Sequence, residues 1–547
     1  MSARATFDRY WQTVRHLRRE QVIGRVRHRF FLGTPPVKGV MPVRPGPRDA
    51  SWIERPRTMT GASRFRFLGE ERDVACASAW SDPATPLLWL YNLHYFDDLA
   101  GPVAQERGEW LAALISRWIA ENPRGAKPGW DPYPSSLRIV NWIKRDLAGV
   151  PLDAAAVASL SQQAHWLNAR IEWHLLGNHL FANAKALWFA GHFFEGPNAE
   201  ALMRRAIAIL SRELNEQVPP DGFHFERSPM YHAIIQEDVL DMLAISRARP
   251  CAAATPMMAH LTDAAHRMAR ALPVMTHPDG DHAFFNDCAI GISATRRQLD
   301  DAMARLFPAG DVATVPSSIR VLPDAGYVRA EKGEATVIFD AAAVGPDYLP
   351  GHAHADTLSL EMSLGKERVI VNGGTSCYGN DAERLRQRGT AAHSTVIVDG
   401  ADSSEVWSGF RVARRARPFD LRIAETPGAC TVACSHDGYR RLPGRPIHRR
   451  SWELSAGSLT VEDRIAAAAG HDCVANYLLH PDVAIEPRDE GAFGLRLASG
   501  RELLFHVGVG RATVSDGIWA PRFGVTCATR RIAIKAQDGC VHVSLTW

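Results

Sequence analysis

Apolar residues recur at helical spacing from about residue 100 to 310. The segments EWLAALISRWIAEN, AVASLSQQAHWLNARIEWHLL, HLFANAKALWFAGHFF, ALMRRAIAILSRELNEQV and AIIQEDVLDMLAISRA carry the pattern, and short turns such as PPDG and HPDG join them. Successive helices of similar length with short connections predict αα-hairpins arranged as a solenoid or toroid. Beyond about residue 315 the period falls to two, in EATVIFD, TLSLEMSL, ERVIVN, STVIVDG and SLTVED, with Gly, Asp and Asn turns between them. With over 200 residues of this kind and no interleaved helices, a large antiparallel β-sandwich is expected. The fold class is therefore multidomain α+β. The boundary falls between residues 308 and 320, giving a helical domain over 61–312 and a β domain over 313–547.

Residues 1–60 stand apart from both. In the first 32 residues, Arg15, Arg18, Arg19, Arg25, Arg27 and Arg29 alternate with Trp11, Val14, Leu17, Val22, Ile23, Val26, Phe30 and Phe31, the pattern of a basic amphipathic helix. Two readings are open. The apolar face docks on the protein's own body, or the segment lies on an anionic membrane surface or an acidic glycan. Pro and Gly crowd residues 33 to 47, predicting an extended connector, and the strand-like patch FRFLGEERDV follows.

Hydrophobic residues make up 46% and charged residues 22% of the 547, as in a folded globular protein rather than a disordered one. A net charge of +3 over this length is too small for a protein that wraps nucleic acid. The segment lacks the h-region and cleavage site of a secretory signal, and nowhere do about 18 apolar residues run together, so the expected compartment is cytoplasmic. Nine scattered cysteines without a CxxC pair argue against a disulfide frame or a thiolate zinc site, and are expected to be buried thiols.

Four clusters carry more polar chemistry than packing needs. In GNHLFANAKAL, Asn178 at a helix start reads equally as an N-cap, but that leaves His179 unexplained. In DGFHFERSPMYHAII, His224, Glu226, Arg227, Tyr231 and His232 share a loop entering a helix. In PGHAHADTLSLEMSL, strand alternation would project His352, His354 and Asp356 on one face. His393 in GTAAHSTVIVDG is the obvious third ligand if these histidines hold a metal; a hydrogen-bonded network is the alternative. Arg384, Arg386 and Arg388, with Arg411, Arg414 and Arg415, read either as a solvated surface or as a docking surface for carboxylate or sulfate.

The GNH helix start, ERSPMYH, GHAHADTLSLEMSL, VIVNGGTSCY and AAHSTVIVDG, in that order, resemble the heparinase II/III-like polysaccharide lyases, including related alginate lyases, over roughly residues 85 to 480. The resemblance implies an incomplete (α/α) toroid followed by a β-sandwich, and β-elimination at a uronic-acid residue of an acidic glycan. It implies that Asn178, with His179 assisting, neutralises the substrate carboxylate. Tyr231 then serves as acid, and as base for one stereochemistry, with Arg227 and His232 as its tuners. His352 is implied as base for the other stereochemistry. His224, Glu226, Arg227, Tyr378, Arg384 and Arg388 are the corresponding substrate-binding candidates. A structural zinc is implied at His354, position 372 and His393, where Asn372 stands in place of the family's Asp. No organic cofactor is implied.

A cytoplasmic lyase would act on imported oligosaccharide or on exopolysaccharide being assembled at the inner membrane, which would give the N-terminal helix a purpose. The rival readings are a non-catalytic or biosynthetic glycan-binding protein on the same fold, and a glycoside hydrolase, which would need paired carboxylates such as Glu226 and Asp356.

Overall fold

The computed structural model describes residues 3–30, 33–101, 105–308 and 318–547. Apart from the hairpin of Arg64–Phe67 and Glu70–Asp73, where the strand-like patch was expected, helices occupy the chain up to Leu306 and strands take over from Ile319, with the expected boundary between 308 and 320 lying largely outside the described residues. The helices form an incomplete (α/α) toroid. Its two innermost members, Pro132–Leu147 and Gly177–Phe193, pack on each other and are buried almost all round. Pro197–Gln217 and Pro229–Ala248 continue the arc, followed by Thr255–Ala271 and Arg296–Leu306. Sequence chemistry sets several starts: Asp153 caps Ala154–Ala169, Ser228 precedes Pro229 at its helix start, and Thr295 with Gln298 forms a capping box. The core is rich in tryptophan, with Trp118 packed edge-on against Trp142 at 5.8 Å and Arg138 lying 3.8 Å over the Trp118 ring.

Two antiparallel sheets of nine and eight strands make the sandwich. The nine-stranded sheet runs from Arg511–Arg522 at one edge to Ile319–Leu322 at the other, and the eight-stranded sheet from Pro418–Glu425 to Ala484–Pro487. Their inner faces meet in one core, where Phe339 packs edge-on against Trp452 at 6.0 Å. Buried between them, Arg450 and His448 share the Asp463 carboxylate.

A third and fourth apolar cluster join the domains. Phe223, Met275 and Phe285 meet Tyr327 and Ile338, while Met230, Tyr231 and Phe284 meet Val371, Leu478 and Trp519. The Asp221 carboxylate accepts from the backbone N–H groups of Asp324 and Ala325. Arg227 donates to the Ala343 and Gly345 carbonyls across the same seam.

Several expectations are corrected. The helix anticipated through residue 176 stops at Ala169, because the chain turns so that the Glu172 N–H meets the Asn183 side chain, and Leu176 and Gly177 adopt positive φ. Pro132–Leu147 was not among the anticipated helices, its apolar spacing being diluted by Arg138, Asn141, Lys144 and Arg145, all buried. His352, His354 and Asp356 lie in a loop; the strand begins only at Leu360, so a common strand face is not what unites them. A short helix, Ala382–Arg388, interrupts the β domain. Of the nine free cysteines, Cys288, Cys430, Cys434 and Cys473 are buried, whereas Cys76 is exposed.

The N-terminal segment is two helices, Ala3–Val14 and Arg19–Phe30; Phe31 lies outside the described residues. Both turn their polar side inward. Trp407 donates to the Thr13 hydroxyl, Arg414 pairs with Asp8, Arg18 pairs with Glu216 over the Tyr348 ring, and Gln21 is buried against the Tyr348 carbonyl. The reading in which the apolar face docks on the body is thereby overturned. Close approach explains why: a Cβ at Gly24 would sit 2.8 Å from the His174 backbone nitrogen, so only a small residue fits the docked side.

Candidate active site

The start of the helix Gly177–Phe193 is shaped by two successive left-handed residues, Leu176 at φ 66° and Gly177 at φ 54°. A Cβ at Gly177 would lie 2.2 Å from the Leu349 side chain and 2.9 Å from Glu226 Oε1, so glycine is what lets Glu226 approach. Glu226 then accepts from both the backbone N–H and the Nδ2 of Asn178, each at 3.2 Å. A buried carboxylate thus meets the positive end of the helix. Asn178 is inside the helix rather than its N-cap, and its side chain is free to face the β domain. There its Nδ2 lies 3.3 Å from His352 Nε2.

Tyr231 enters from the helix Pro229–Ala248, whose cap Ser228 accepts from the Tyr231 N–H and donates to the Asp287 carbonyl. Its ring lies 3.9 Å from the His352 ring at 30°, and its hydroxyl is 3.2 Å from that of Tyr378. Burial, then the neighbouring Tyr378, pushes the Tyr231 phenol well above its ordinary pKa, so it is protonated at neutral pH.

Asp287 is the hub. One oxygen accepts from His354 Nε2 at 2.8 Å and the other from His352 Nδ1 at 2.8 Å, while Arg384 pairs with both oxygens. Burial alone would raise this carboxyl, but Arg384 and the two histidines outweigh it and hold it well below the usual range. An ionised Asp287 fixes the hydrogen of His352 on Nδ1. The Nε2 lone pair then points at the Asn178 amide, which donates to it. No sequence cluster contained Asp287: it sits in FFNDCAI, a connector with neither helical nor strand period. Its neighbour Asn286, at φ 56°, was the one visible cue, an Asn-Asp pair able to hold a left-handed turn; Asn286 Oδ1 accepts from the His354 N–H.

Behind this layer, His354 Nδ1 lies 3.3 Å from His393 Nε2, and Asp356 completes a buried trio whose ligand atoms all fall within 4.8 Å of one another. Two nitrogens about 2.0 Å from a tetrahedral zinc would themselves be about 3.3 Å apart. His393 is kept neutral by burial, its pKa lowered to about 4, and its Nδ1 has no hydrogen-bond partner among the described residues. His354 already donates its other nitrogen to Asp287, the arrangement that orients a metal-binding imidazole. The donor set therefore fits a divalent ion of the zinc type. Asn372 is corrected as a ligand: its oxygen accepts from the Ser394 N–H and its Nδ2 donates to Ser359, which leaves Asp356 as the third group.

The remaining candidates divide sharply. His179 keeps a third of its side chain exposed, meets the Tyr133 ring at 4.5 Å and a 42° tilt, and lies 3.3 Å from Glu172. Burial would lower its pKa, yet Glu172 outweighs that and raises it, favouring a cation beside Asn178. Tyr378 faces the site between Tyr231 and His352. His224 is buried on Gln217, and Arg227 is spent on the domain seam, so neither meets a substrate. His232 stacks on Phe223 and bonds the Met268 carbonyl; neither it nor Arg227 tunes Tyr231. Arg384 and Arg388 are buried, one on Asp287 and the other on the carbonyls of Ala353 and Ser408, and do not form a docking surface. Arg386, Arg414 and Arg415 pair with Glu383, Glu405 and Asp347, and Arg411 lies 4.9 Å from the Trp407 ring.

Comparison with known proteins follows the same division of the chain. Residues 153–314 match the model of the heparinase II/III N-terminus, and residues 314–544 that of the heparinase II/III-like C-terminal domain. A heparin-sulfate lyase of Pedobacter heparinus is 26% identical over 322 residues, covering 53% of this chain and 48% of that protein. One from Bacteroides stercoris is 22% identical over 397 residues, covering 64% and 59%. The chain thus aligns with about half the length of these relatives. A crystal structure of heparinase III superposes with a TM-score of 0.65 at 17% identity, covering 82% of this chain and 74% of that one. A chondroitin AC lyase of Streptomyces coelicolor superposes with 0.51 at 11% identity, covering 85% and 76%. Toroid, sandwich and both matched domains agree: the chain belongs to the heparinase II/III-like family.

Proposed function

We propose that this chain is a polysaccharide lyase that cleaves a uronic-acid-containing glycan by β-elimination. The observation that carries the reading is the meeting of Asn178, Tyr231 and His352, from three separate segments, within contact distance at the domain junction. A proton α to a carboxylate is weakly acidic, so elimination needs the carboxylate charge neutralised, a base at C5 and an acid at the leaving oxygen. The Asn178 amide and His179, whose pKa Glu172 raises, supply the first. His352, oriented by Asp287, offers Nε2 as the base. The base takes the C5 proton, the C4–O bond breaks as the C4–C5 double bond forms, and Tyr231 delivers its proton to the departing oxygen. A phenol held protonated by burial suits the acid role, which leaves base chemistry to His352. Glu226 positions Asn178 from behind.

In this reading His354, Asp356 and His393 hold a structural zinc, which would bind the loop after His352 to the strand after His393 without entering the reaction. Metal analysis of protein purified without chelator should find about one zinc per chain. His393→Ala should lose it and lower the melting temperature, whereas equal melting with and without chelator would remove zinc from the scheme.

The test of the reaction is ultraviolet absorbance of the unsaturated product on a panel of uronate polymers. Tyr231→Phe should abolish that signal while circular dichroism and melting stay unchanged; a fully active variant would overturn the assignment. A hydrolase would yield reducing ends without absorbance. Its nominated pair is disfavoured because Asp356 is buried with His354 and His393, while Glu226 is engaged by Asn178. A glycan-binding protein would give neither signal.

A further inference from the structure

The two N-terminal helices are built inside out relative to an ordinary surface helix. On Ala3–Val14 the outward face carries Phe7, Trp11 and Val14, at the i, i+4, i+7 positions, with Phe7 74% and Trp11 55% exposed, while Tyr10 at its border meets the Trp407 ring edge-on at 4.9 Å. The docked side of the same helix is Asp8, Gln12 and Thr13. Arg19–Phe30 repeats the inversion. Val22, Ile23, Val26 and Phe30 face out, Ile23 and Phe30 at 66% and 73% exposure, while Gln21, Gly24 and His28 face the body, His28 stacked on His174 at 4.4 Å.

An unpartnered apolar face of two helices is costly in water and is kept where something covers it. Charge selects what that is. Arg19, Arg25, Arg27 and Arg29 border the face and have no carboxylate partner among the described residues, whereas Asp8, the acid of the first helix, is neutralised by Arg414. A sugar chain could use the arginines but offers nothing to Val22, Ile23 and Val26. Acyl chains under anionic headgroups satisfy both. Each helix is only 12 residues, and no helix among the described residues is long and apolar enough to cross a membrane, so the pair would lie in the interface plane.

We propose that this helical pair is a docking surface for an anionic lipid bilayer. Its placement ties docking to the site. The first helix packs on Trp407, three residues before Phe410, whose ring lies 6.3 Å from His352. The second packs on Tyr348, beside the Leu349 that seats Gly177. A bilayer bound here holds the domain junction next to its surface, where it would meet glycan carried on lipid. The surface stands whether or not the chain eliminates uronates.

The full chain should sediment with vesicles of phosphatidylcholine mixed with phosphatidylglycerol, and far less with phosphatidylcholine alone. Added salt should weaken the binding, because the arginine contribution is screened. Trp11→Glu and Ile23→Glu, both at exposed positions, should each lower the partition about tenfold or more with unchanged melting temperature. The proposal is overturned if the chain stays in the supernatant with both vesicles, or if both variants bind like the parent. It is equally overturned if the face proves to be covered otherwise. That would appear as a dimer in sedimentation velocity that Ile23→Glu dissolves, or as retention on an acidic-polysaccharide resin that Ile23→Glu abolishes while vesicle binding is absent.

Discussion

Asp287 shows how much one side chain can govern. It is buried, accepts from His352 and His354, and faces the Arg384 guanidinium. Asp287→Asn keeps the shape but removes the charge that places hydrogen on His352 Nδ1, and it leaves Arg384 buried without a counter-ion. The expected cost is about 3–5 kcal/mol of stability, read by denaturant unfolding. Turnover in the variant that still folds should fall by about 10³-fold or more, as when other oriented imidazoles lose their carboxylate. A variant with parental turnover would show that His352 needs no such partner. Local chemistry marked Tyr231 and His352, each in a short run of titratable groups that packing does not require, whereas Asn178 read equally as an N-cap and owed its role to the resemblance. Asp287 was illegible for the opposite reason: its partners lie 65, 67 and 97 positions away, and nothing in its own neighbourhood marks it. The proposed zinc ligands show a related limit, since position in a motif does not say where a side-chain oxygen ends up: Asn372 is turned to Ser394 and Ser359, while Asp356 lies with His354 and His393.

Among the elements, the start of the helix Gly177–Phe193 carries the most consequence. Gly177→Ala would force a Cβ against Leu349 and Glu226 at a positive φ. We expect a loss of about 1–3 kcal/mol in unfolding experiments, together with lower turnover as Asn178 is displaced from His352. A variant with parental stability and rate would mean that the backbone there can relax without moving Asn178. Periodicity located most long helices and five of the sandwich's strands, because burial of one face leaves a spacing in the chain. It could not find Pro132–Leu147, whose buried polar residues erase that spacing. Nor could it tell which side of the N-terminal helices docks: an amphipathic pattern fixes that two faces differ, and the docking side was decided by Gly24, Gln21 and Arg18 against a particular surface.

Across the whole molecule, burial of neutral histidines sets the response to acid. His94, His192, His232 and His282 are buried, and burial lowers their pKa to about 3, 4, 3 and 4. In the unfolded chain each takes up a proton near 6.5. Between those values the unfolded state holds more protons, so stability is full above about pH 6.5 and is lost as pH falls toward the folded values, by about 1.4 kcal/mol per unit for each histidine. Melting temperatures measured from about pH 7 to about pH 5 should decline steadily; a flat profile would show that these histidines are charged in the fold. The two-domain plan itself was legible from the change of period near residue 315, whereas the seam was not, because its contacts join Arg227 to Ala343 and Asp221 to Asp324 across sequence distances that no local pattern records.

The pairing of Asp287 with Arg384 also ties the site to the union of the two halves. The carboxylate belongs to the connector that closes the toroid, and the guanidinium to the short helix Ala382–Arg388 of the later half. With the halves apart, the first would hold an unpaired anion and the second an unpaired cation, with His352 unaimed. Docking of the halves and assembly of the site are therefore one and the same arrangement: neither half alone carries both the imidazole and the acid that aims it.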